Sequence, residues 1–410
     1  MDTRPLPAPE LIDSLLELLP DDFPEWVPGT RPVHNVGIGA AGWFRPSDVA
    51  SHFCRSPQFA GDWSPVVVRF SNASGQADPD GRLQVRGMAV RFHIGGDLRQ
   101  LDADGHSIDD ERAHRLTEPV RFAVEGASAI TDMVCMSVPL FMVRDAPSMV
   151  AFERAMKAVK VRRPGWWARV RSLLTMCPLP PQEVGVDRDG IPGALEFSRS
   201  HPEAQALLVA NSMLRLPTSY ARTVYHAVHA FVATGDDGVE RHVRFSLEPS
   251  AGARSAGPLE PQHSPVSAAL RQPKVNAYGA TLPERYLQDE LAQRLAHVPC
   301  RFTLQMHLAD PGDDPSDPTT VWKPNRQRIV MGTLELEGLV ADQDGGCERL
   351  GFNPGRLLDG LAPSDDPILA LRTELYAESY RRRMSARDLL IDPVQCPFGF
   401  GASPQESGRA

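Results

Sequence analysis

Two short segments near the N-terminus place a cation beside a group that could move a proton or accept a hydrogen bond. Arg31 lies three residues before His34, and Arg69 lies two residues before Ser71 in an apolar run typical of a β-strand. A buried arginine needs an anionic partner, so the spacing fits an anionic ligand beside a general acid or base. The alternative, which the spacing alone favours, is that both arginines lie at a barrel rim and that His34 is a hydrogen-bonded core histidine.

A third group of residues falls on one face of a predicted helix near the C-terminus. Asp366 is a candidate N-cap, and Pro367 would occupy the first helical position. Arg372, Tyr376 and Arg383 follow at spacings of four and seven residues. A guanidinium one turn from a phenol favours the ionised phenolate, which is the form that can bind iron. The alternative is an amphipathic helix with a solvated arginine stripe.

Apolar patterning predicts the elements that must position these groups. Short runs rich in β-branched and aromatic residues, bounded by turn residues, predict strands over 66–71, 88–94, 131–143, 218–234, 241–247, 301–308 and 328–339. Helical spacing predicts helices over 10–19, 149–159, 283–297 and 366–383. The polar residues 95–118 are predicted to form a surface insertion without regular structure. Consecutive strands joined by turns favour an antiparallel barrel or sandwich over alternating βαβ units.

The composition excludes several classes of protein. The 410 residues include 43 Lys and Arg against 52 Asp and Glu, so the net charge of −9 argues against a nucleic-acid partner. No apolar run is long enough for a membrane-spanning helix. The best apolar stretch near the N-terminus contains Asp13 and Glu17, unlike a secretory signal, so a cytoplasmic protein is predicted. The six cysteines form no C-x-x-C pair and are predicted to be reduced thiols.

Three other motifs carry less weight. Residues 37–42 match G-x-G-x-x-G, but Pro46 would interrupt the helix that a dinucleotide site requires, so a glycine-rich turn between close-packed strands is predicted. The aspartates of 310–317 lack the glycine and glutamate of a calcium loop, which predicts a turn-rich loop. The polar insertion contains side chains that could bind a metal, although a solvated loop explains them more simply. These side chains are His106, Asp109, Asp110 and His114.

Five segments, taken in order, resemble the haem catalase superfamily and most of all its small catalase-related peroxidases. The segments are residues 31–34, 68–71, 85–92, 132–141 and 372–376, with weaker support from 310–322 and 352–365. The resemblance spans residues 23–385. It implies one α+β domain over 23–385, built on a closed antiparallel β-barrel of about eight strands with peripheral helices. Residues 1–22 would form an N-terminal arm and 386–410 a C-terminal tail.

The resemblance implies haem b as the cofactor and assigns roles to its surroundings. Tyr376 would be the phenolate ligand of the haem iron, with Arg372 as its charge partner. The haem propionates would pair with Arg31, Arg69 and Arg383.

On the opposite face of the haem, the resemblance implies a distal proton carrier. His34 would take a proton from one peroxide oxygen and return it to the other, and Ser71 would orient the imidazole ring. The apolar walls of the pocket would come from Val33 and Phe141, together with Phe152.

The sequence departs from the family pattern at the distal asparagine that orients peroxide opposite the histidine. The resemblance assigns this position to Ser137, directly after Met136. The shorter hydroxyl side chain puts rapid hydrogen peroxide disproportionation in doubt and leaves room for a larger organic or fatty-acid hydroperoxide.

The first expectation for activity is therefore a peroxidase or catalase-type oxidoreductase that decomposes hydrogen peroxide or organic hydroperoxides. One alternative is a fatty-acid hydroperoxide isomerase or lyase, although the related isomerases have threonine where this chain has Val33. Another is a haem-binding sensor or store without turnover, which the complete set of His34, Ser71, Arg372 and Tyr376 disfavours. The expected partners are a peroxide and an electron donor of unknown identity. The physiological peroxide, NADPH binding and the oligomeric state, a homo-oligomer included, stay open.

Overall fold

The computed structural model describes residues 9–21, 29–75, 78–113, 118–158, 161–162, 182–183, 197, 201–202, 204, 214–257 and 274–391. Parts of the predicted arm and tail, residues 1–8 and 392–410, lie outside the described residues, as does the candidate metal ligand His114. The boundaries of the predicted domain therefore stay a prediction.

Fourteen strands are present in the described part of the chain. They are β1 (Gly37–Pro46), β2 (Ser64–Asn72), β3 (Arg86–Ile94), β4 (Asp97–Leu101), β5 (Ser107–Ile108), β6 (Arg121–Glu125), β7 (Ala129–Met136), β8 (Val161–Arg162), β9 (Gln182–Glu183), β10 (Tyr225–Thr234), β11 (Glu240–Pro249), β12 (Cys300–Leu308), β13 (Arg328–Leu339) and β14 (Leu361–Pro363). Eight of them pair in the order β10-β11-β12-β13-β1-β2-β3-β7, and β7 returns to β10. All these pairs are antiparallel, which confirms the predicted closed barrel.

The barrel strands have aromatic and β-branched residues that meet in one core. Fully buried rings from four different strands, β1, β2, β11 and β12, pack with centroids 5 to 6 Å apart from aromatic neighbours in the same core. These rings belong to Phe44, Phe70, Phe245 and Phe302. The interior of the barrel is therefore a packed core, so a ligand has to bind outside it.

The structure corrects three predictions of local structure. Residues 37–42 form part of β1 instead of a turn. The glycines allow close approach of β13, because a Cβ at Gly42 would lie 1.9 Å from the Glu335 carbonyl oxygen. The insertion 95–118 contains β4 and β5, and β4 also pairs with β6 in a small three-stranded sheet. The strand predicted over 131–143 ends at Met136, because Pro139 cannot donate a ladder hydrogen bond.

Seven α-helices surround the barrel in the described residues. They are α1 (Pro9–Asp21), α2 (Ala50–Phe53), α3 (Pro57–Ala60), α4 (Asp110–Ala113), α5 (Ala146–Ala158), α6 (Tyr286–Leu295) and α7 (Pro367–Ile391). Asp366 caps α7 as predicted, because its Oδ1 accepts hydrogen bonds from the amides of Ile368 at 2.8 Å and Leu369 at 3.2 Å. Helices α1, α5 and α7 share a second apolar core with the segment after β7. Among the helices described, none has the length and apolar character needed to cross a membrane.

Candidate active site

One cavity lies where the three chemically suggestive segments meet. Its walls come from residues 31–34, from β2, β3 and β7, from residues 350–352 and from one face of α7. Eight of the eleven predicted site residues line it: Arg31, Val33, His34, Arg69, Ser71, Arg372, Tyr376 and Arg383. Apolar side chains cover most of the remaining surface, namely Leu16, Pro32, Met88, Val134, Met136, Leu350, Phe352 and Leu375.

His34 is held in a specific and strained position on one wall of the cavity. Its backbone has φ 56°, in the left-handed region that is uncommon for residues other than glycine. Its Nδ1 lies 3.0 Å from Ser71 Oγ, so Nε2 is the ring nitrogen left free by this contact. Gly87 supports the pair from below, because a Cβ there would lie 2.7 Å from both Nδ1 and Ser71 Oγ.

The electrostatic surroundings keep the His34 imidazole neutral. Burial, followed by the nearby cations Arg69, Arg372 and Arg31, lowers the pKa of His34 from 6.5 to about 3. A neutral imidazole with one nitrogen fixed by a hydroxyl can accept a proton at the other nitrogen. The imidazole is therefore in the form that can accept a proton at neutral pH.

A chain of polar contacts runs from Tyr376 into the protein interior. Arg372 Nη2 donates to the Tyr376 hydroxyl at 2.7 Å, and Nη1 lies 2.7 Å from His229 Nε2. His229 Nδ1 lies 2.6 Å from Asp366 Oδ2. Because arginine can only donate, Nε2 of His229 must accept and Nδ1 must carry the proton that is donated to Asp366. The chain fixes the Arg372 guanidinium against the phenol oxygen.

Sequence reasoning did not assign a functional role to His229 and assigned Asp366 only as a helix cap. Both side chains are almost completely buried, and burial lowers the pKa of His229 although Asp366 acts in the opposite direction. The available signal was a histidine, one of two in the mostly apolar strand β10, and its partner lies 137 residues away in the sequence. Such a pair emerges only when β10 and the start of α7 are brought together.

Three arginines converge at one end of the cavity around Glu348, another residue that the sequence did not point to. Arg31 is hydrogen-bonded to the Glu348 carboxylate, and Arg69 Nε lies 2.7 Å from Glu348 Oε1. Arg383 donates to the backbone oxygens of Glu348 and, at 3.0 Å, of Leu350. Glu348 ends a single turn of π-helix over Asp344–Glu348, a type of turn that is frequent at functional sites.

The arginine cluster carries more positive charge than its surroundings neutralise. Burial, followed by the neighbouring charge of Arg69, lowers the pKa of Arg31 to about 9, and burial lowers that of Arg383 to about 10. Arg31 and Arg69 pair with the Glu348 carboxylate, whereas Arg383 bonds to main-chain oxygens, so three guanidinium groups and one carboxylate leave a surplus of two positive charges. The cluster is therefore suited to a ligand with two negative charges.

Ser137, the residue predicted to stand opposite His34, is not among the residues that line the cavity. Its Oγ accepts a hydrogen bond from the Arg86 backbone amide at 2.9 Å. Met136 lines the cavity instead. Successive residues of an extended chain face opposite sides. The position that the resemblance assigned to Ser137 is therefore displaced by one residue, and Met136 takes its place in the wall. The wall at this position is a thioether, without a strong hydrogen-bond donor.

The aromatic residues predicted as pocket walls also lie elsewhere. Phe141 packs behind the cavity, where its ring centroid is 5.3 Å from the guanidinium carbon of Arg372 and 5.7 Å from the His229 ring. Phe152 packs against Phe197 at 5.7 Å. Phe141 therefore supports the buried polar chain, whereas Phe152 belongs to the core formed by the helices.

Comparisons with known proteins agree with the barrel. A family model described as Catalase matches residues 300–408. The chain is 29% identical over 357 residues to a catalase-related peroxidase of Mycolicibacterium paratuberculosis, a match that covers 87% of this chain and 90% of that relative. A catalase-related peroxidase of Synechococcus elongatus is 26% identical, with 87% of this chain and 84% of the relative covered.

The fold is also that of solved catalases. A fungal catalase structure superimposes with a TM-score of 0.63 at 18% sequence identity, and the match covers 98% of this chain and 68% of the fungal chain. At this level of identity the similarity concerns the fold, and the predicted catalase-like barrel is confirmed.

Proposed function

We propose that this chain is a haem-dependent peroxidase that decomposes organic hydroperoxides and hydrogen peroxide. The observation that carries the proposal is the convergence, in one cavity, of a neutral histidine, a phenol held by a guanidinium and a cluster of buried arginines. The similarity to catalases and catalase-related peroxidases supports a haem cofactor. Haem b is the type that we propose.

The residues of the cavity fit this cofactor. Haem b is a flat apolar ring with two carboxylates at one edge. The cavity has apolar walls over most of its surface, and its arginine cluster has a surplus of two positive charges at one end. In this proposal Tyr376 binds the iron through its phenolate, and Arg31, Arg69 and Arg383 bind the propionates. When bound, haem supplies redox-active iron that takes up the oxidising equivalents of a peroxide.

The protein itself supplies proton transfer and orientation. In this proposal His34 Nε2 takes the proton from the near oxygen of the peroxide and delivers it to the far oxygen, which leaves as an alcohol or as water. Ser71 Oγ holds Nδ1 so that Nε2 keeps its position during both transfers. On the other side, Arg372 donates a hydrogen bond to the phenol oxygen of Tyr376 and holds it in position.

The wall near the distal histidine favours organic hydroperoxides over hydrogen peroxide. Met136 lines the cavity where the sequence comparison placed a hydroxyl, and Val33, Met88 and Val134 extend the apolar surface. An apolar wall gains free energy by covering an alkyl or aryl group, whereas hydrogen peroxide has none to offer. A hydroperoxide with a hydrophobic tail is therefore the proposed substrate class, with an organic reductant as its partner.

Titration of the purified chain with hemin, followed by rapid mixing with cumene hydroperoxide or hydrogen peroxide, tests the proposal. We expect one haem per chain, a ferric spectrum with phenolate character, and a faster spectral change with cumene hydroperoxide. Tyr376→Phe should lose the phenolate bands and bind haem weakly. Stoichiometric haem without any peroxide reaction would favour a sensor or store, and isomerised fatty-acid hydroperoxides in place of alcohols would favour an isomerase.

A further inference from the structure

We infer that Tyr380 is an electron-relay residue through which organic donors reduce the peroxide-oxidised haem at the mouth of the cavity. The inference rests on the proposed function, because it requires haem in the cavity. It assigns a residue and a donor class to the reducing half of the reaction, which the proton chemistry of His34 leaves unassigned.

Tyr380 lies where the cavity meets the solvent. It is one helical turn beyond Tyr376 on α7, about 6 Å along the helix axis. Its side chain lines the cavity, yet 38% of the residue is exposed. Among the described residues of the cavity wall, Tyr376 and Tyr380 are the two phenols. With Tyr376 assigned to the iron, Tyr380 is the phenol that reaches both the cofactor space and the solvent.

Two neighbours hold the Tyr380 ring in this position. A Cβ at Gly351 would lie 2.6 Å from Tyr380 Cδ2, so the ring rests directly on the backbone there. On the other side the Arg383 guanidinium carbon lies 5.5 Å from the ring centroid. Arg383 is also one of the residues proposed to bind a propionate, so the ring lies beside a residue that would hold the cofactor. A fixed ring gives a constant path for electron transfer.

Water access distinguishes Tyr380 from the buried tyrosines near the core. Oxidation of a phenol releases its proton, so the phenol needs an acceptor for that proton. Tyr220 and Tyr225 are fully buried, burial raises the pKa of both, and neither lines the cavity. The exposed edge of Tyr380 can release its proton to water. The structure therefore favours Tyr380 over the interior phenols as the group that is oxidised.

The electrons and protons of the relay balance over one turnover. A hydroperoxide takes two electrons and two protons and yields an alcohol and water. In each of two steps Tyr380 would give one electron to the bound cofactor and its phenol proton to water, which would leave a phenoxyl radical. A donor with a weak O–H or N–H bond, such as a phenol or an aromatic amine, transfers a hydrogen atom to the phenoxyl oxygen. Tyr380 is restored, and two donor radicals leave.

Freeze-quench electron paramagnetic resonance of the haem-loaded full chain after mixing with cumene hydroperoxide tests the relay. The native chain should give a tyrosyl radical signal that disappears when 2,6-dimethoxyphenol is present. Tyr380→Phe should lose that signal and oxidise less dimethoxyphenol for each hydroperoxide consumed. Tyr278→Phe is the matched control, because Tyr278 is 37% exposed and lies outside the cavity wall, and it should behave like the native chain.

The outcomes separate this inference from the proposed function. Tyr380→Trp keeps an oxidisable ring, so a tryptophanyl signal with partial recovery of donor oxidation would support the relay. A tyrosyl signal and donor oxidation that persist unchanged in Tyr380→Phe would overturn it, as would a native chain whose haem reacts with hydroperoxide without forming any protein radical. If the native chain binds no haem, or its haem spectrum does not respond to hydroperoxide, the proposed function itself fails.

Discussion

Replacing the one carboxylate of the arginine cluster should destabilise the haem-free protein. Glu348→Gln keeps the size of the side chain and removes the charge that faces Arg31 and Arg69, whose side chains are 14% and 3% exposed. Breaking a buried ion pair by neutralising one partner costs about 3–5 kcal/mol, and the 26% exposure of the Glu348 side chain places it at the low end. About 3 kcal/mol corresponds to roughly a 150-fold change in the unfolding equilibrium.

Urea unfolding of the haem-free and haem-loaded protein measures this effect. The propionates of haem would supply the missing negative charge, so the destabilisation should shrink once hemin is bound. Glu335→Gln is the matched control, because Glu335 pairs at 2.6 Å with an arginine that is 55% exposed, and such surface pairs contribute about 0–1 kcal/mol. Equal stability losses in the two variants, or a Glu348→Gln loss that hemin leaves unchanged, would refute the proposed charge balance of the cluster.

The sign of the pH dependence follows from the same contacts. Burial alone would raise the pKa of Glu348, but Arg69 and Arg31 outweigh it and hold the pKa below the ordinary value of 4.5. A depressed carboxyl pKa stabilises the folded state fully above the unfolded value and loses that stabilisation as the pH falls through the folded value. The difference between native protein and Glu348→Gln should therefore be constant near neutral pH and shrink below about pH 4.5.

Three further predictions concern the histidines and the cavity wall. Gly87→Ala should push the His34 ring out of place and slow the peroxide reaction by about 10²-fold with haem still bound, and stopped-flow traces at the native rate would contradict this. Met136→Asn should raise the ratio of the rate with hydrogen peroxide to the rate with cumene hydroperoxide by roughly tenfold. Oxygen release and the spectral change measure the two rates, and an unchanged ratio would argue against Met136 as the specificity residue. Acidification from about pH 6.5 to pH 4 should lower the free energy of unfolding. Burial lowers the pKa values of His34, His226 and His307 to about 3, 4 and 4, respectively. Over this pH range the unfolded chain therefore binds more protons than the folded chain does. Each histidine contributes at most about 1.4 kcal/mol per pH unit, and a flat urea midpoint over this range would exclude the effect.

Local spacing was enough to predict the parts of the site that lie within one element. Arg372 and Tyr376 are four residues apart, so any α-helix brings their side chains together, and the structure has them 2.7 Å apart. The pairing of His34 with Ser71 could be expected only from the family resemblance, because 37 residues separate them. Glu348, which bonds to arginines from three segments, has no local signal at all.

Errors arose where one residue of register decides which way a side chain points. Ser137 was assigned to the cavity from an alignment of motifs, but β7 turns Met136 to that side and directs the serine to the Arg86 amide. Strand alternation makes such a displacement exchange the two faces completely. The glycines of 37–42 were similarly assigned to a turn. Their composition indicates that another backbone segment approaches closely, but it does not indicate that β1 is paired with strands on both sides.

The barrel closes unevenly, and this gives it a place where it should open first. Other neighbouring strands of the barrel pair over seven or eight residues, whereas β7 and β10 are joined through one pair, Met136 with His226. Met136 is also part of the cavity wall. Native-state hydrogen exchange should therefore find the least protected strand amides where β7 meets β10. The exchange there should occur through local openings that are far smaller than global unfolding. Such fluctuations would briefly widen the cavity from the barrel side. Because the other strand pairs of the barrel are held by more contacts, the opening between β7 and β10 would limit the size of the molecule that can enter.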